Sequence, residues 1–238
     1  MSIFVNYSII TEINNISSSK IKTGVGNLVG NKGATAICFN IRDKNFLFIN
    51  SHLAAGQSST EKRNRDFQRI NKSMNIKNFT SHGGKSITDL FNVSIWMGDF
   101  NYRVDCNTEE ALKLIKQEET YKLFDYDQMY KEMKNNREIF NNFAEGIIEF
   151  RPTYKYHIGE ANINNYDLEK RNPSWTDRIL YKCEDYNLVL CKYNCINDTY
   201  VSDHKPVFAV FRYDFIEENQ SLIENVKINH KSQLCNIF

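Results

Sequence analysis

Six side chains suited to acid–base and anion chemistry sit at the edges of apolar runs in this 238-residue chain. "FINSHL" delivers His52, and "WMGDFN" delivers Asp99 and Asn101. "PSWTDRIL" opens its apolar run at Asp177, and "VSDHKPVFAV" presents Asp203 and His204 just before another. Taken singly, each is as well explained as a turn residue or a helix cap. Together, three acids, an amide and two of the five histidines recurring at strand edges describe a site held by rigid elements. His82, His157 and His230 stand in polar, loop-like sequence instead. These types suit hydrolysis of a phosphate ester. A carboxylate orients or deprotonates a water, an amide and imidazoles donate to phosphate oxygens, and a hard cation neutralises the leaving oxygen. Oxygen donors favour Mg2+; the six cysteines show no ligand spacing with the histidines, which disfavours zinc.

Positioning such residues takes strands. β-rich runs recur at "SIFVNYSII", "GATAICFNI", "NFLFINS", "VSIWMGDF", "DRILY", "LVLCKY" and "PVFAVFRY", several of them apolar on both faces, as strands within a two-layer stack are. "TEKRNRDFQRI" opens a helix predicted to run to about Asn78, with Phe67, Ile70 and Met74 on its apolar face. A second helical region is predicted over 107–142, with Asn107 as N-cap and Glu110 three residues later. The asparagine-rich "EINNISSSK" and "EANINNY" read as loops. The basic run "EKRNRDFQR" reads as a solvated helix face with Glu61 and Arg65 paired one turn apart.

Thirty basic against twenty-nine acidic side chains leave a net charge of +1, so no global field recruits nucleic acid or an anionic membrane. With 41% hydrophobic residues the chain builds one well-buried domain, expected over 1–215, followed by a tail over 216–238. Cysteines without CxxC spacing and no secretory leader suggest a reduced, cytosolic setting. No apolar run approaches the roughly 18 residues of a membrane span.

Six stretches, "GNLVGNKGATAICF", "NSHLAAGQSSTEKRNRDF", "WMGDFNYRVD", "RPTYKY", "KRNPSWTDRILY" and "SDHKPVFAVF", occur in an order that resembles the inositol polyphosphate 5-phosphatase family, its synaptojanin-like branch in particular, within the endonuclease, exonuclease and phosphatase superfamily. The likeness covers roughly residues 3 to 213. It implies an α/β fold, a four-layer α/β/β/α sandwich of the DNase I-like type. It also implies Mg2+-dependent removal of the 5-phosphate from a phosphoinositide, such as phosphatidylinositol 4,5-bisphosphate, or from an inositol polyphosphate. Water attacks directly, since no Cys or Ser nucleophile stands beside a base.

By the same resemblance, His52 and His204 hydrogen-bond the scissile phosphate, Asp99 activates the water and Asn101 binds a phosphate oxygen. Asp177 orients His204, and Asp203 lies beside the metal. Tyr154, Lys155, Lys170 and Arg171 meet the 4-phosphate, with Lys32 and Arg103 as further basic contacts inside matched motifs. Trp96 and Gly98 read as structural.

The chain departs from the family at its start. The family's domain begins about 100 residues upstream, with strands carrying a metal-binding Asn and Glu. Met1 is therefore expected to fall mid-fold, in an N-terminally truncated gene model, with a fragment or a short inactive protein as the alternatives. At the other end "CNIF" fits a C-a-a-X prenylation pattern at Cys235. Its tail is not basic, so attachment is expected to be peripheral and reversible, on the cytosolic face of a membrane. A non-catalytic phosphoinositide-binding chain and a superfamily nuclease are the competing readings. "RPTYKY", "KRNPSWTDR" and the neutral charge argue against nucleic acid.

Overall fold

In the computed structural model, residues 1–215 are described except 25, 27, 28, 78, 80–84, 136, 137, 160–164, 169 and 170. Lys170, His82, most of "EANINNY", and the tail with His230 and Cys235 lie outside the described residues. The strands are β1 (Ile13–Lys22), β2 (Gly33–Ile41), β3 (Lys44–His52), β4 (Val93–Asp99), β5 (Ala144–Glu145), β6 (Asp177–Cys183), β7 (Leu188–Cys195) and β8 (Val207–Tyr213). The α-helices are α1 (Thr60–Ser73), α2 (Thr108–Lys116) and α3 (Gln128–Asn135). Six strands form one sheet in the order β1-β2-β3-β4-β6-β5, and β7 and β8 form another. Within the large sheet β3 and β4 run parallel, and the other neighbours run antiparallel.

Side-chain parity explains the layers. Phe39, Phe46, Phe48, Val93, Ile95, Ile179 and Tyr181 point to one face of the large sheet and meet Leu188, Phe211 and Tyr213 of the small one. The alternate positions, including Ala36, Leu47, Ile49, Trp96 and Leu180, pack instead against Phe67 and Ile70 of α1 and against Phe140 and Phe143. The central strands are therefore apolar on both faces, as read from the sequence. The result is the α/β sandwich of the DNase I-like class: helices, large sheet, small sheet, with Val189 and Val210 exposed on the small sheet's far face.

Four local expectations fail, each for a physical reason. "SIFVNYSII" forms no strand: a 3-10 helix covers Tyr7–Glu12, capped by the Asn6 side chain accepting from Ser8 N at 3.0 Å. Phe4 and Tyr7 are exposed there, so the apolar run has no sheet to join. "EINNISSSK" is not a loop but most of β1, whose backbone pairs with β2 although its side chains are mostly polar. An edge strand buries little, and its register shift between Asn14 and Ser17 absorbs Asn15 at φ 53°. Helix α1 stops at Ser73, because Met74 turns extended and sends Ile76 into the core. The 107–142 region breaks after α2 at Glu118 (φ 59°), passes through a 3-10 helix over Thr120–Tyr126, and restarts where the Asp127 carboxylate accepts from Tyr130 N at 2.8 Å. Asn107 does cap α2, accepting from Glu109 N at 2.8 Å.

Candidate active site

The strand register places the expected acids and base side by side. His52 ends β3 directly opposite Asp99, which ends β4, and Asp99 lies directly opposite Asp177, which begins β6. By parity all three continue the rows that face the small sheet, so the site forms where the apolar layer between the sheets ends. Behind this row the backbones close tightly. Gly98 has φ +131°, and a Cβ there would lie 2.1 Å from Ser51 O, while buried Trp96 donates to Ser51 Oγ at 3.0 Å. Both residues are structural, as expected.

His52 Nε2 lies 3.1 Å from Asp99 Oδ2. Beyond β4 the chain turns at Asn101 (φ 58°), a conformation asparagine tolerates. There its backbone N donates to Asp99 Oδ1 at 2.9 Å, and its Nδ2 donates to Asp99 Oδ2 at 3.0 Å and Leu53 O at 3.2 Å. Across the row, His204 Nδ1 lies 2.7 Å from Asp177 Oδ2, which also accepts from Thr176 Oγ1 at 2.8 Å. The Tyr154 ring connects the halves, 4.4 Å from the His204 ring and under the Arg103 guanidinium at 4.6 Å.

The electrostatics suit this layout. Burial alone would raise the Asp99 pKa, but the hydrogen bond from His52, the charges of His204 and His52, and the Asn101 amide together hold it below the usual carboxylate value. For His204, burial alone would lower the pKa; the hydrogen bond and charge of Asp177, with the charges of Asp99 and Asp203, raise it above the ordinary imidazole value. Lys32 reaches His52 Nε2, and burial pushes its ammonium below the usual lysine value, against the pull of Asp99. One imidazole nitrogen cannot accept from Lys32 and donate to Asp99 at once.

The other expected residues fall differently. Arg103 is 3% exposed and turned onto Asn101, with Nε donating to its backbone O at 3.0 Å and Nη2 to its Oδ1. Lys155 donates to Asp167 at 2.6 Å, and Arg171 is exposed on the segment leading to β6. Asp203 adjoins His204, its backbone O accepting from Tyr156 N at 3.0 Å.

Sequence reasoning missed a buried polar cluster behind the site. Arg63, read as part of a solvated face, is fully buried; it donates to Ala54 O (3.1 Å), Gly56 O (2.7 Å), Thr60 and Gln128. Burial lowers its pKa to about 10, still a cation at neutral pH. Two of its four acceptors are backbone carbonyls, which leave no mark on a sequence. The expected Glu61–Arg65 ion pair is not among those the described residues form.

A divalent cation of the Mg2+ type needs about six oxygen ligands in near-octahedral order. Among the described residues no three His, Cys, Asp or Glu side chains converge into a metal-holding group. Asp203 thus gains no fellow ligands, and these residues by themselves do not fit the cation.

The family model described as Endonuclease/Exonuclease/phosphatase family 2 matches residues 1–210. The chain belongs to this family. Inositol-1,4,5-trisphosphate 5-phosphatase 1 of Schizosaccharomyces pombe is 36% identical over 238 residues, covering 98% of this chain and 21% of that protein. Phosphatidylinositol 4,5-bisphosphate 5-phosphatase INP51 of Saccharomyces cerevisiae is 38% identical over 210 residues, covering 88% of this chain and 21% of that protein. The chain spans about a fifth of the length of the curated relatives it matches. Among solved structures, the inositol polyphosphate 5-phosphatase domain of SPsynaptojanin, bound to inositol (1,4)-bisphosphate and calcium ion, superposes with TM-score 0.73 at 37% identity, covering 87% of this chain and 58% of that one. A divalent cation is thus the kind of metal that this family's fold accommodates. Membership in Endonuclease/Exonuclease/phosphatase family 2 fixes the fold; the reaction has to be argued from the side chains.

Proposed function

We propose that this chain carries the catalytic residues of an inositol polyphosphate 5-phosphatase, which removes the 5-phosphate from a phosphoinositide such as phosphatidylinositol 4,5-bisphosphate by direct attack of water. The observation that carries the reading is the in-register row His52, Asp99, Asp177, with His204 tethered to Asp177. Asp99, kept ionised, orients the water and takes its proton. Asn101 is assigned to a phosphate oxygen, for which the side-chain N–H now held by Leu53 O must change partner while the other stays on Asp99. His204, held through Nδ1, keeps Nε2 for the phosphate, and its raised pKa favours the protonated, donating form. His52 supplies a second imidazole donor on the other side of Asp99, and Lys32 a charge.

Tyr154, Lys155, Lys170 and Arg171 are assigned to a neighbouring phosphate of the same ring. Lys155 then exchanges its Asp167 partner for the anion. Mg2+ is the cation proposed for the whole reaction, because hard oxygen donors prefer it, although the described residues by themselves do not hold it. Asp203 is the ligand candidate on this chain. A lipid substrate places the protein at the cytosolic face of a membrane, held peripherally. No helix of the described residues is long and apolar enough to cross one.

Phosphate release from vesicles containing phosphatidylinositol 4,5-bisphosphate, with DNA as the control substrate and Mg2+ varied, tests the reading. Asp99→Asn should lower turnover about 10³-fold while leaving vesicle binding within about twofold. Unchanged turnover, or cleavage of DNA, would sink the assignment. The unconverged metal ligands favour one second reading, a non-catalytic phosphoinositide-binding chain. That reading requires vesicle binding with no phosphate release at any Mg2+ concentration.

A further inference from the structure

We propose that Arg103 is a positioning residue that fixes the Asn101 side-chain amide toward Asp99, and is not itself a phosphate ligand. This deepens the phosphatase reading and rests on it. An asparagine amide has one accepting and one donating end of nearly equal shape, so its neighbours decide which way it points. Here the two ends face opposite chemistry. Toward Asp99 Oδ2 and Leu53 O stand only acceptors, at 3.0 and 3.2 Å from Nδ2. Toward Oδ1 stands the guanidinium of Arg103, which can only donate. A flipped amide would set its oxygen against a carboxylate and its N–H groups against a cation.

The fork holds more than the amide. Nε of Arg103 takes the Asn101 backbone oxygen while Nη2 takes the side chain, so one planar group fixes both ends of a residue at φ 58°. Asn101 in turn donates to both oxygens of Asp99, from its backbone N and from Nδ2. The orientation of the water-activating carboxylate is therefore set through Asn101 from four residues away, by a side chain that need not touch the substrate.

Arg103 is itself anchored from the rear. Its backbone N donates to Gln128 Oε1 at 3.0 Å, and the same oxygen accepts from Arg63. Gln128 Nε2 donates to Gln57 O at 2.9 Å and to Asp105 Oδ1 at 2.8 Å. Both lone pairs and both N–H groups of this buried amide are thus in use, and it ties the loops after β3 and β4 to α1. The saturated Gln128 amide thus fixes the position of the Arg103 backbone. Nη1 of Arg103 has no hydrogen-bond partner and Nη2 keeps a second N–H, so a direct phosphate contact would have to run through one of these.

Arg103→Lys separates the two roles, because lysine keeps the charge and loses the fork. The whole chain is used, with the Asn101 side-chain N–H resonances assigned by their loss in Asn101→Ser. In Arg103→Lys the Asn101 amide pair should shift or broaden, and affinity for inorganic phosphate should stay within about twofold; turnover should fall about 10²-fold with KM within about twofold. Unchanged Asn101 resonances in the folded variant overturn the proposal. So does a tenfold loss of phosphate affinity accompanied by an equal rise in KM. Should Arg103→Lys fail to fold, the unmodified chain still decides: titration with inorganic phosphate should move His204 and leave the Arg103 Nε–H resonance in place, and a larger movement at Arg103 than at His204 overturns the proposal. Absence of turnover in the unmodified chain counts against the phosphatase reading, while the amide resonances and phosphate titration still test Arg103.

Discussion

Asp177 and Arg178 are neighbours in β6 that point to opposite faces of the large sheet, and their surroundings differ accordingly. Arg178 is 3% exposed and clamped by carboxylates, with Nε at 2.6 Å and Nη2 at 2.5 Å from Glu145 and Nη1 at 3.2 Å from Asp127. Burial would lower its pKa, but the charges of Glu145 and Asp127 hold it well above the ordinary value. Glu145 also accepts from Tyr193 at 2.9 Å, and Asp127 caps α3. On the other face Asp177 meets one imidazole and one hydroxyl and keeps about a quarter of its side chain open to solvent, 23%. The difference lies in spare bonding capacity. A clamped, dehydrated charge holds elements together, whereas a half-satisfied carboxylate with a wet edge orients an imidazole whose other nitrogen stays open to a ligand.

Breaking the closed side should have the largest effect. Arg178→Met leaves Asp127 and Glu145 buried without their cation, which costs about 3–5 kcal/mol in stability. Asp177→Asn removes a partly exposed charge and should cost less than about 1 kcal/mol, while impairing catalysis through His204. Urea unfolding of both variants measures the contrast. Near-equal losses would erase the distinction between the two faces.

A pH titration sharpens it. The folded pKa of His204 is raised above its unfolded value near 6.5, so its contribution to stability is fully present below that value. The contribution is lost as pH rises from about 6.5 through the folded pKa. Asp99 behaves in the opposite sense: its folded pKa is depressed, so its contribution holds above pH 3.8 and is lost as pH falls through the folded value. In Asp177→Asn only burial and the more distant Asp99 and Asp203 act on His204, so its imidazole should titrate lower than in the parent chain. Proton NMR of the His204 ring reads this directly, and an unmoved midpoint would show that Asp177 does not hold it.

What the sequence disclosed follows the same division. Strands β2 and β4 were legible because both faces are apolar and each has one sharp boundary, β2 opening at Gly33 and β4 ending at Asp99. The candidate row was legible because His52, Asp99 and Asp177 interrupt hydrophobic runs. β1 was hidden because an edge strand pairs through its backbone and needs few apolar side chains, while "SIFVNYSII" showed the converse, an apolar run without a neighbour to pair with. Arg63 and Gln128 were hidden because several of their partners are backbone groups and the two side chains meet each other across 65 residues of sequence. Lys32 reaches His52, and the Tyr154 ring lies against that of His204. The direction of Arg103 was not legible, since a positive charge two residues past a catalytic amide serves a phosphate or the amide equally well until its geometry is known.

The smallest predicted effect tests where the open side ends. Lys155 pairs with Asp167 at 2.6 Å, and that contact, more than any other influence, holds the ammonium above its ordinary value. The pair keeps 18% and 10% of its side chains exposed, which places it between the clamp around Arg178 and the wet edge at Asp177. If the pair is scaffold, Lys155→Met takes the cation from Asp167 and should destabilise the fold without touching substrate preference. If it belongs to the site, stability should change by less than about 1 kcal/mol, because Asp167 can turn to solvent. KM should then rise severalfold for a substrate carrying a phosphate beside the one removed and stay level for a substrate lacking it. The second pattern is expected, because Lys155 follows Tyr154, whose ring already lies against His204. A stability loss with unchanged KM would move Lys155 to the closed side of the comparison.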